Sequence, residues 1–319
     1  MVGCVIVHNG YIIGEGFHAN YGEAHAEVNA INSVKDKAIL KDATLYVSLE
    51  PCSHFGKTPP CSDLIIESGI KRVVIACSDT NPLVAGKGIE KLKRARVEVI
   101  SGVLEKEARE LNKRFFTFHE QKRPYIILKW AQTADGFIDR KRNDNTQPAL
   151  QISNEHSKRL LHKWRNEEQA IMVGTNTARL DNPRLDVRLV SGKNPLRIVL
   201  DKNLELAESL HLFDGSQLTL VFTSKKRAVQ TDVEFIAIDF EKNVLQQVMS
   251  VLHDKQIQSV IVEGGSKLVQ NFIDENLWDE ARVFISETFI VDGVAAPKLN
   301  AEPMSIDTIE SDKLYLFKK

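Results

Sequence analysis

Short runs of β-branched and other apolar residues recur along the whole sequence, and segments with helical spacing follow many of them. In the first third, strands are predicted at Val2–Val7, Thr44–Leu49 and Lys71–Ala76, and the last of these, KRVVIA, has the composition of a buried strand. Helices are predicted at His25–Val34 and Ser62–Ser68. Strands that alternate with helices build layered domains, so the pattern predicts an α/β fold.

Shorter signals complete the first part of the chain. Asn9-Gly10 tolerates positive φ and predicts a hairpin turn into a return strand at Tyr11–Gly16. A long amphipathic helix is predicted at Leu104–Phe116.

The polar stretch HEQKRP, His119 to Pro124, has no apolar periodicity and ends in proline, so it predicts a domain junction. A chain of 319 residues agrees with two domains of roughly 100–200 residues each. We therefore expect domains at residues 1–121 and 122–319. The second shares no motif with the first, and its predicted elements are strands at Tyr125–Trp130, Ala170–Val173, Leu196–Leu200, Leu218–Phe222 and Ser259–Val262 and a helix at Asn154–Arg165.

Composition restricts the class of protein. A net charge of −1 provides no field that would attract nucleic acid or an acidic membrane, and no apolar run approaches the roughly 18–20 residues of a membrane helix. Four cysteines are too few for a disulfide scaffold. We therefore expect a cytoplasmic protein without nucleic-acid or membrane partners, in which clustered cysteine and histidine indicate metal binding or catalysis.

Two motifs predict a catalytic zinc site. HAEVNA supplies His25 and Glu27, and PCSHFGKTPPC supplies Cys52 and Cys61. Catalytic zinc typically takes three protein ligands and leaves a fourth position open, which His25, Cys52 and Cys61 would satisfy. Glu27 then matches the proton-transferring residue of the H-x-E…P-C pattern of hydrolytic deaminases, although eight residues rather than two separate the cysteines.

Helix geometry restricts where these residues can meet. Residues two apart in a helix diverge by roughly 200°, so His25 and Glu27 can converge only where the helix begins. HAE and a C-x8-C spacing are each weak alone, and their conjunction carries the prediction. His54 could compete as a ligand, and Cys4 and Cys77 are expected to be packing residues.

Together these motifs resemble the family of bifunctional riboflavin-biosynthesis deaminase–reductases. The resemblance covers nearly the whole chain. In the first half it rests on Gly3–Val7, Gly14–His18, His25–Ala30, Glu50–Cys61 and Asp79–Gly88, and in the second on Lys129–Ile138, Trp164–Arg188, Pro195–Asp201 and Val260–Gly265.

The resemblance implies a cytidine-deaminase-like α/β/α domain followed by a dihydrofolate-reductase-like α/β domain. The first would deaminate 2,5-diamino-6-ribosylamino-4(3H)-pyrimidinone 5′-phosphate with one zinc ion, and the second would reduce the ribosyl group to ribityl with NADPH. The segment His54 to Thr58 would form a wall of the pyrimidine pocket. A homo-oligomer, dimeric or larger, is expected.

The resemblance also implies the contacts of the second domain. Substrate contacts are expected at Arg165, Leu185, Arg188 and Glu263, and dinucleotide contacts at Ala131, Thr177 and Asp181. Backbone amides at a helix start bind diphosphate well, so the cofactor set is completed by Gly265, Ser266, Lys267 and Leu268. There is no G-x-G-x-x-G, so a Rossmann fold is not predicted.

The sequence departs from the family pattern in two places. The family has a helix and a Pro-Asn-Pro turn ahead of the Val-Gly-Cys strand, so we expect this sequence to lack the first helix of its deaminase domain. Gln151 stands where the family often has tryptophan.

Two alternatives stay open from the residues alone. One is a nucleoside or nucleic-acid deaminase with an unrelated C-terminal domain. The other is a structural, inactive zinc domain joined to a working reductase, which would have no need of Glu27.

Overall fold

The chain folds into two compact units, residues 1–121 and 122–319, in the computed structural model. The structure describes residues 2–19, 22–55, 59–81, 85–228 and 231–319. Within these ranges no helix is both long enough and apolar enough to cross a bilayer.

Unit 1 is built on one five-stranded sheet in the order β2-β1-β3-β4-β5. β1 is antiparallel to both its neighbours, and β3, β4 and β5 are parallel. The predicted hairpin joins β1 to β2, where Asn9 and Gly10 have φ of 50° and 80°. The strands are β1 (Gly3–His8), β2 (Tyr11–Phe17), β3 (Thr44–Val47), β4 (Arg72–Ile75) and β5 (Glu98–Ser101).

The helices of unit 1 follow the prediction except near its C-terminal end. The single helix predicted at Leu104–Phe116 is wrong: two helices meet at the buried Asn112, whose backbone leaves the helical region and whose side chain bonds to the Ala108 carbonyl. The helices are α1 (Ala26–Ser33), α2 (Cys61–Glu67), α3 (Lys87–Arg94), α4 (Glu105–Leu111) and α5 (Lys113–Gln121), and a 3-10 turn covers Lys37–Asp42.

A close approach between α1 and β2 fixes where α1 begins. A Cβ atom on Gly16 would lie 2.4 Å from the amide nitrogen of Ala30, so glycine is required for this contact. The buried Ala26 and Ala30 of α1 pack in one cluster with Ile6 of β1 and Leu45 of β3. The small residues of β2 and α1 therefore place the start of the helix, and with it the HAE motif, against the sheet.

Unit 2 is built on a nine-stranded sheet in the order β11-β10-β9-β8-β12-β6-β13-β16-β15, with a separate pair β14-β7. The strands from β11 to β13 are parallel, and β16 and β15 continue the sheet antiparallel. The bounds are β6 (Tyr125–Gln132), β7 (Phe137–Asp139), β8 (Ala170–Gly174), β9 (Leu196–Leu200), β10 (Thr219–Thr223), β11 (Val233–Ala237), β12 (Ser259–Val262), β13 (Glu280–Ile285), β14 (Val294–Ala295), β15 (Ser305–Ile309) and β16 (Asp312–Lys318).

Helices cover both faces of this sheet. Alternate residues of β6 enter two different hydrophobic clusters, Leu128 in one and Ile127 in the other. The helices are α6 (Glu155–Glu167), α7 (Thr175–Asp181), α8 (Val244–Asp254) and α9 (Ser266–Asp274), and a 3-10 turn covers His211–Phe213. Both faces are apolar because helices cover a parallel sheet on both sides. In sheets of this kind, ligands bind beyond the carboxyl ends of the strands.

Candidate active sites

Three metal-binding side chains converge in unit 1. The ligand atoms of His25, Cys52 and Cys61 all lie within 4.8 Å of one another. The Nδ1 atom of His25 is 3.5 Å from the Sγ of Cys52 and 3.2 Å from the Sγ of Cys61. His25 is the residue before α1 and Cys61 is the first residue of α2, so both stand at helix starts, where the positive end of the helix dipole favours thiolate.

The charges of these side chains fit a divalent cation. A hydrogen bond from the Cys61 thiol, with a further bond from His25, lowers the pKa of Cys52 to about 4. The same pairing with Cys52, together with burial, raises the pKa of Cys61, and the bond to Cys52 raises the pKa of His25. One nitrogen and two sulfur donors at a single point form a donor set typical of zinc, which would replace the proton that the two sulfurs share.

Glu27 lies beside the three donors in the first turn of α1. It is 3% exposed, and its carboxyl group forms a hydrogen bond with the side chain of Cys61. Burial raises its pKa to about 7 because the charged carboxylate loses its hydration. A carboxyl group with such a pKa can both accept and release a proton near neutral pH.

The other residues of the motif region have different environments. Cys4 and Cys77 are buried, as expected of packing residues, and the thiol of Cys77 donates to the Ser48 carbonyl. His54 is exposed. The pocket wall predicted for residues 54–58 lies partly outside the described residues, which omit 56–58.

Unit 2 contains a cleft of about 1480 Å³ at the carboxyl ends of β6, β8, β9 and β12. Many of the predicted contact residues line this cleft. Its lining does not include Arg165, Leu185 or Arg188. The predicted residues that line it are Ala131, Thr177, Asp181, Glu263, Gly265, Ser266, Lys267 and Leu268.

The predicted diphosphate site stands at the start of α9. Gly265 precedes the helix, and its N–H donates to the hydroxyl of Thr177 at 2.8 Å. A Cβ atom on Gly264 would lie 2.7 Å from a methyl carbon of Leu268, so the loop packs tightly on its own helix. One of the amides expected to bind diphosphate is thus bonded within the protein.

Arg165 is bound to the protein rather than presented to the cleft. Its Nε and Nη2 donate to the two carboxylate oxygens of Glu263 at 2.9 and 2.7 Å, and its Nη1 donates to the Asp186 carbonyl at 3.1 Å. Burial disfavours the charge of Glu263, but the Arg165 guanidinium outweighs it and holds the pKa of the carboxyl below its usual value. Arg165 therefore joins α6 to the residue that follows β12.

The other two predicted substrate contacts differ in exposure. Leu185 is 2% exposed, packs in the hydrophobic cluster on the α6 face of the sheet and has a φ of 52°, so it could offer a ligand little besides its backbone. Arg188 is half exposed and pairs with Asp186.

Lys129 and Arg142 are among the cleft-lining cations that were not predicted from the sequence. Lys129 on β6 lies 5.5 Å from the centre of the Phe284 ring, and burial lowers the pKa of its ammonium although Glu263 opposes the shift. Arg142 pairs with Asp139 and Asp181. A lysine inside an apolar run and an arginine in a polar loop gave no distinguishing sequence signal.

Comparison with known proteins accounts for both units. A profile of the cytidine and deoxycytidylate deaminase zinc-binding region matches residues 1–77, and one of the RibD C-terminal domain matches residues 124–301. The riboflavin biosynthesis protein RibD of Aquifex aeolicus is 44% identical over 310 residues, which cover 96% of this chain and 83% of that protein. The chain belongs to the RibD family.

Other RibD proteins agree with this assignment. RibD of Bacillus amyloliquefaciens is 41% identical over 308 residues, covering 94% of this chain and 81% of that protein. A crystal structure of a Thermotoga maritima diaminohydroxyphosphoribosylaminopyrimidine deaminase/5-amino-6-(5-phosphoribosylamino)uracil reductase superposes with a TM-score of 0.88 at 37% identity, covering 99% of this chain and 91% of that one.

Membership defines the kind of enzyme. The chain is a bifunctional enzyme of riboflavin biosynthesis, with a zinc-dependent deaminase and an NADPH-dependent reductase, and its two halves have the deaminase and RibD reductase folds. The matches to both halves disfavour an unrelated C-terminal domain and a reductase acting alone.

Proposed function

We propose that the chain carries out two consecutive steps on one small phosphorylated pyrimidine. Residues 1–121 deaminate 2,5-diamino-6-ribosylamino-4(3H)-pyrimidinone 5′-phosphate, and residues 122–319 reduce the ribosyl group of the product to ribityl. The convergence of three metal donors beside the buried Glu27 carries the first assignment. The substrate follows the name of the Thermotoga maritima relative.

In the deaminase unit, His25, Cys52 and Cys61 hold the zinc ion. Bound zinc supplies a Lewis acid that makes water acidic enough to react near neutral pH. Glu27 would carry one proton of the attacking water to the ring nitrogen and the second proton of that water to the leaving amine, so that ammonia departs and the water oxygen stays on the ring carbon. Burial disfavours the charged carboxylate of Glu27 and so favours a group that can hold a proton between the two transfers.

In the reductase unit, NADPH supplies the hydride. Ala131, Thr177, Asp181 and the segment from Gly265 to Leu268 hold the dinucleotide, and all of them line one cleft. Glu263 faces the substrate with its orientation fixed by Arg165. Lys129 adds a cation beside Glu263, where it can neutralise charge that develops on the sugar.

The two remaining substrate contacts differ in kind. The side chain of Arg188 is 54% exposed and can reach a phosphate, whereas Leu185 would contact the substrate through its backbone.

We also propose a cytoplasmic homo-oligomer, dimeric or larger, that binds no nucleic acid. Edge strands with exposed apolar side chains support association, among them Tyr11 and Ile12 on β2 and Ile306 on β15. Light scattering on the purified chain tests it, and a monomer at micromolar concentration would contradict it.

The decisive assay supplies the deaminase substrate with zinc and NADPH and follows ammonia and nicotinamide absorbance together. Glu27→Gln keeps the size of the side chain but cannot transfer protons, so ammonia release should fall at least about 100-fold. Reduction of pre-deaminated substrate should stay unchanged. Normal ammonia release from Glu27→Gln would exclude Glu27 as the proton carrier.

A further inference from the structure

Glu50 is a buried carboxylate that the deaminase chemistry above does not use. It stands between β3 and the ligand Cys52 and is 4% exposed. Its own N–H donates to the Cys77 carbonyl at 3.0 Å. Among the described residues, four backbone N–H groups donate to its two oxygens: those of Asp79 at 3.2 Å, Gly86 at 3.0 Å, Gly88 at 2.9 Å and Ile89 at 3.1 Å.

These four donors all belong to the connection from β4 to α3 and to the first turn of α3. Gly88 and Ile89 are the second and third residues of the helix, the positions whose amides a capping side chain normally satisfies. Gly86 precedes the helix and has no side chain to do so. Glu50 therefore caps α3 from a distant part of the sequence, where its negative charge also meets the positive end of the helix.

The start of α3 packs closely against Pro51, the residue before Cys52. A Cβ atom on Gly88 would lie 1.9 Å from the carbonyl oxygen of Pro51. On its other side, Cys52 accepts an N–H bond from Cys61 at its sulfur and one from Ser62 at its carbonyl, at 3.3 and 3.1 Å. Cys52 is thus held between the starts of two helices, α2 and α3.

We propose that Glu50 is the positioning residue for Cys52. Its carboxylate oxygens bond to the backbone of the β4–α3 connection and the first turn of α3. It acts by binding the start of α3 against Pro51, which fixes the backbone from which the Cys52 sulfur reaches His25 and Cys61. This role rests on the proposed zinc site. It differs from a purely stabilising role because it predicts an effect on the Cys52 sulfur and not only on the stability of the fold.

Glu50→Gln in the full chain tests the role. The amide nitrogen cannot accept the N–H groups that one carboxylate oxygen now accepts, so part of the cap is lost at nearly constant volume. We expect the zinc dissociation constant, measured by competition with a chromogenic chelator, to rise about 10–100-fold, as for other residues that orient metal ligands. In metal-free protein, iodoacetamide should modify Cys52 several-fold faster, as located by mass spectrometry.

Asp36→Asn is the matched control. Asp36 caps the 3-10 turn at Lys37–Asp42 by accepting the Ala38 N–H at 3.0 Å, and it is a carboxylate cap in the same unit. It should lower the melting temperature of unit 1 yet leave zinc affinity and the alkylation rate of Cys52 at wild-type values. Equal zinc affinities and equal alkylation rates in Glu50→Gln, Asp36→Asn and wild type would overturn the proposal.

A second variant covers the case in which Glu50→Gln does not fold. Gly88→Ala keeps the Glu50 carboxylate but forces the helix start away from Pro51, so it should weaken zinc binding in the same way. Wild-type zinc binding by a folded Gly88→Ala would contradict the proposed route through Pro51. A wild-type chain that binds no zinc would instead overturn the proposed deaminase site, and the Cys52 alkylation rates would still decide the role of Glu50.

Discussion

At the scale of single residues, both sites depend on burial that changes the chemistry of a charged group. Glu27 has a pKa of about 7 because its carboxylate is removed from water, and the Lys129 ammonium has a lowered pKa for the same reason. The four cysteines form two groups with different chemistry. Cys52 and Cys61 share a proton beside His25, whereas Cys4 and Cys77 are buried in apolar surroundings, which raise the pKa of each thiol.

This division predicts which cysteine zinc requires. Cys61→Ser should reduce zinc affinity by more than the about 10–100-fold that loss of an orienting partner costs, because a ligand itself is removed. Cys77→Ser, which keeps a donor for the Ser48 carbonyl, should bind zinc normally. Metal content of the purified variants, measured by atomic emission, checks both. Equal zinc content in the two variants would exclude Cys61 as a ligand.

A buried histidine predicts a pH dependence of stability in unit 2. His162 is 3% exposed, and its Nδ1 accepts the Arg188 N–H at 3.2 Å. Burial, with the nearby charges of Arg165 and Arg188, lowers its pKa to about 4. Between about pH 6.5 and about pH 4, His162 is protonated in the unfolded chain but stays neutral in the native state. The free energy of unfolding should therefore decrease as the pH falls through this range.

Between pH 7 and pH 5, the free energy of unfolding should fall by about 1–2 kcal/mol less in His162→Asn than in the wild type. The measurement is urea unfolding followed by tryptophan fluorescence at each pH. His156→Asn is the control, because His156 lies on the same helix but its side chain is 64% exposed. An identical pH profile in His162→Asn and wild type would show that His162 is protonated normally in the folded state.

At the scale of elements, the start of α1 is the critical position in unit 1. Two residues that are two positions apart inside a helix point in different directions. His25 lies just before α1 and Glu27 in its first turn, so both side chains can face the same metal site. The packing of α1 on β2 maintains that position, and it depends on the absence of a side chain at Gly16.

Gly16→Ala should therefore damage both the fold and the metal site. The added methyl group meets the backbone of α1, which cannot move aside as a flexible side chain could, and we expect a loss of about 1–3 kcal/mol together with weaker zinc binding. Gly3→Ala on β1 is the matched control, because its added Cβ meets no atom within 4 Å. Thermal unfolding with and without zinc compares them, and similar behaviour of the two variants would contradict this account.

The elements also show what a sequence can predict. The helix start at His25 follows from local spacing, and the metal donors follow from the conjunction of two short motifs, although 27 and 36 residues separate His25 from Cys52 and Cys61. The break at Asn112 was missed because the apolar periodicity continues across it. The pairing of Arg165 with Glu263 was missed because the partners are 98 residues apart in sequence, and no local pattern reveals that an arginine is already engaged.

At the scale of the whole molecule, the two units have separate interiors. Each hydrophobic cluster among the described residues is drawn from one unit alone. The three tryptophans, Trp130, Trp164 and Trp278, all lie in unit 2, so intrinsic fluorescence reports on the reductase unit.

Removing zinc should consequently affect one unit selectively. A strong chelator should abolish ammonia release and lower the unfolding temperature of unit 1, since a bound metal stabilises only the state that holds it. The tryptophan fluorescence transition and the reduction of pre-deaminated substrate should be unchanged. A shift of the tryptophan transition on chelation would show that the two units unfold together.

The carboxylate that caps α3 has a further effect on how the deaminase meets its phosphorylated substrate. An uncovered helix start is among the commonest resting places for a phosphate, yet here an internal anion already takes up the amides of the first turn. A ligand phosphate approaching the start of α3 would meet the negative charge of Glu50, so this helix start does not supply the counter-charge for a phosphate.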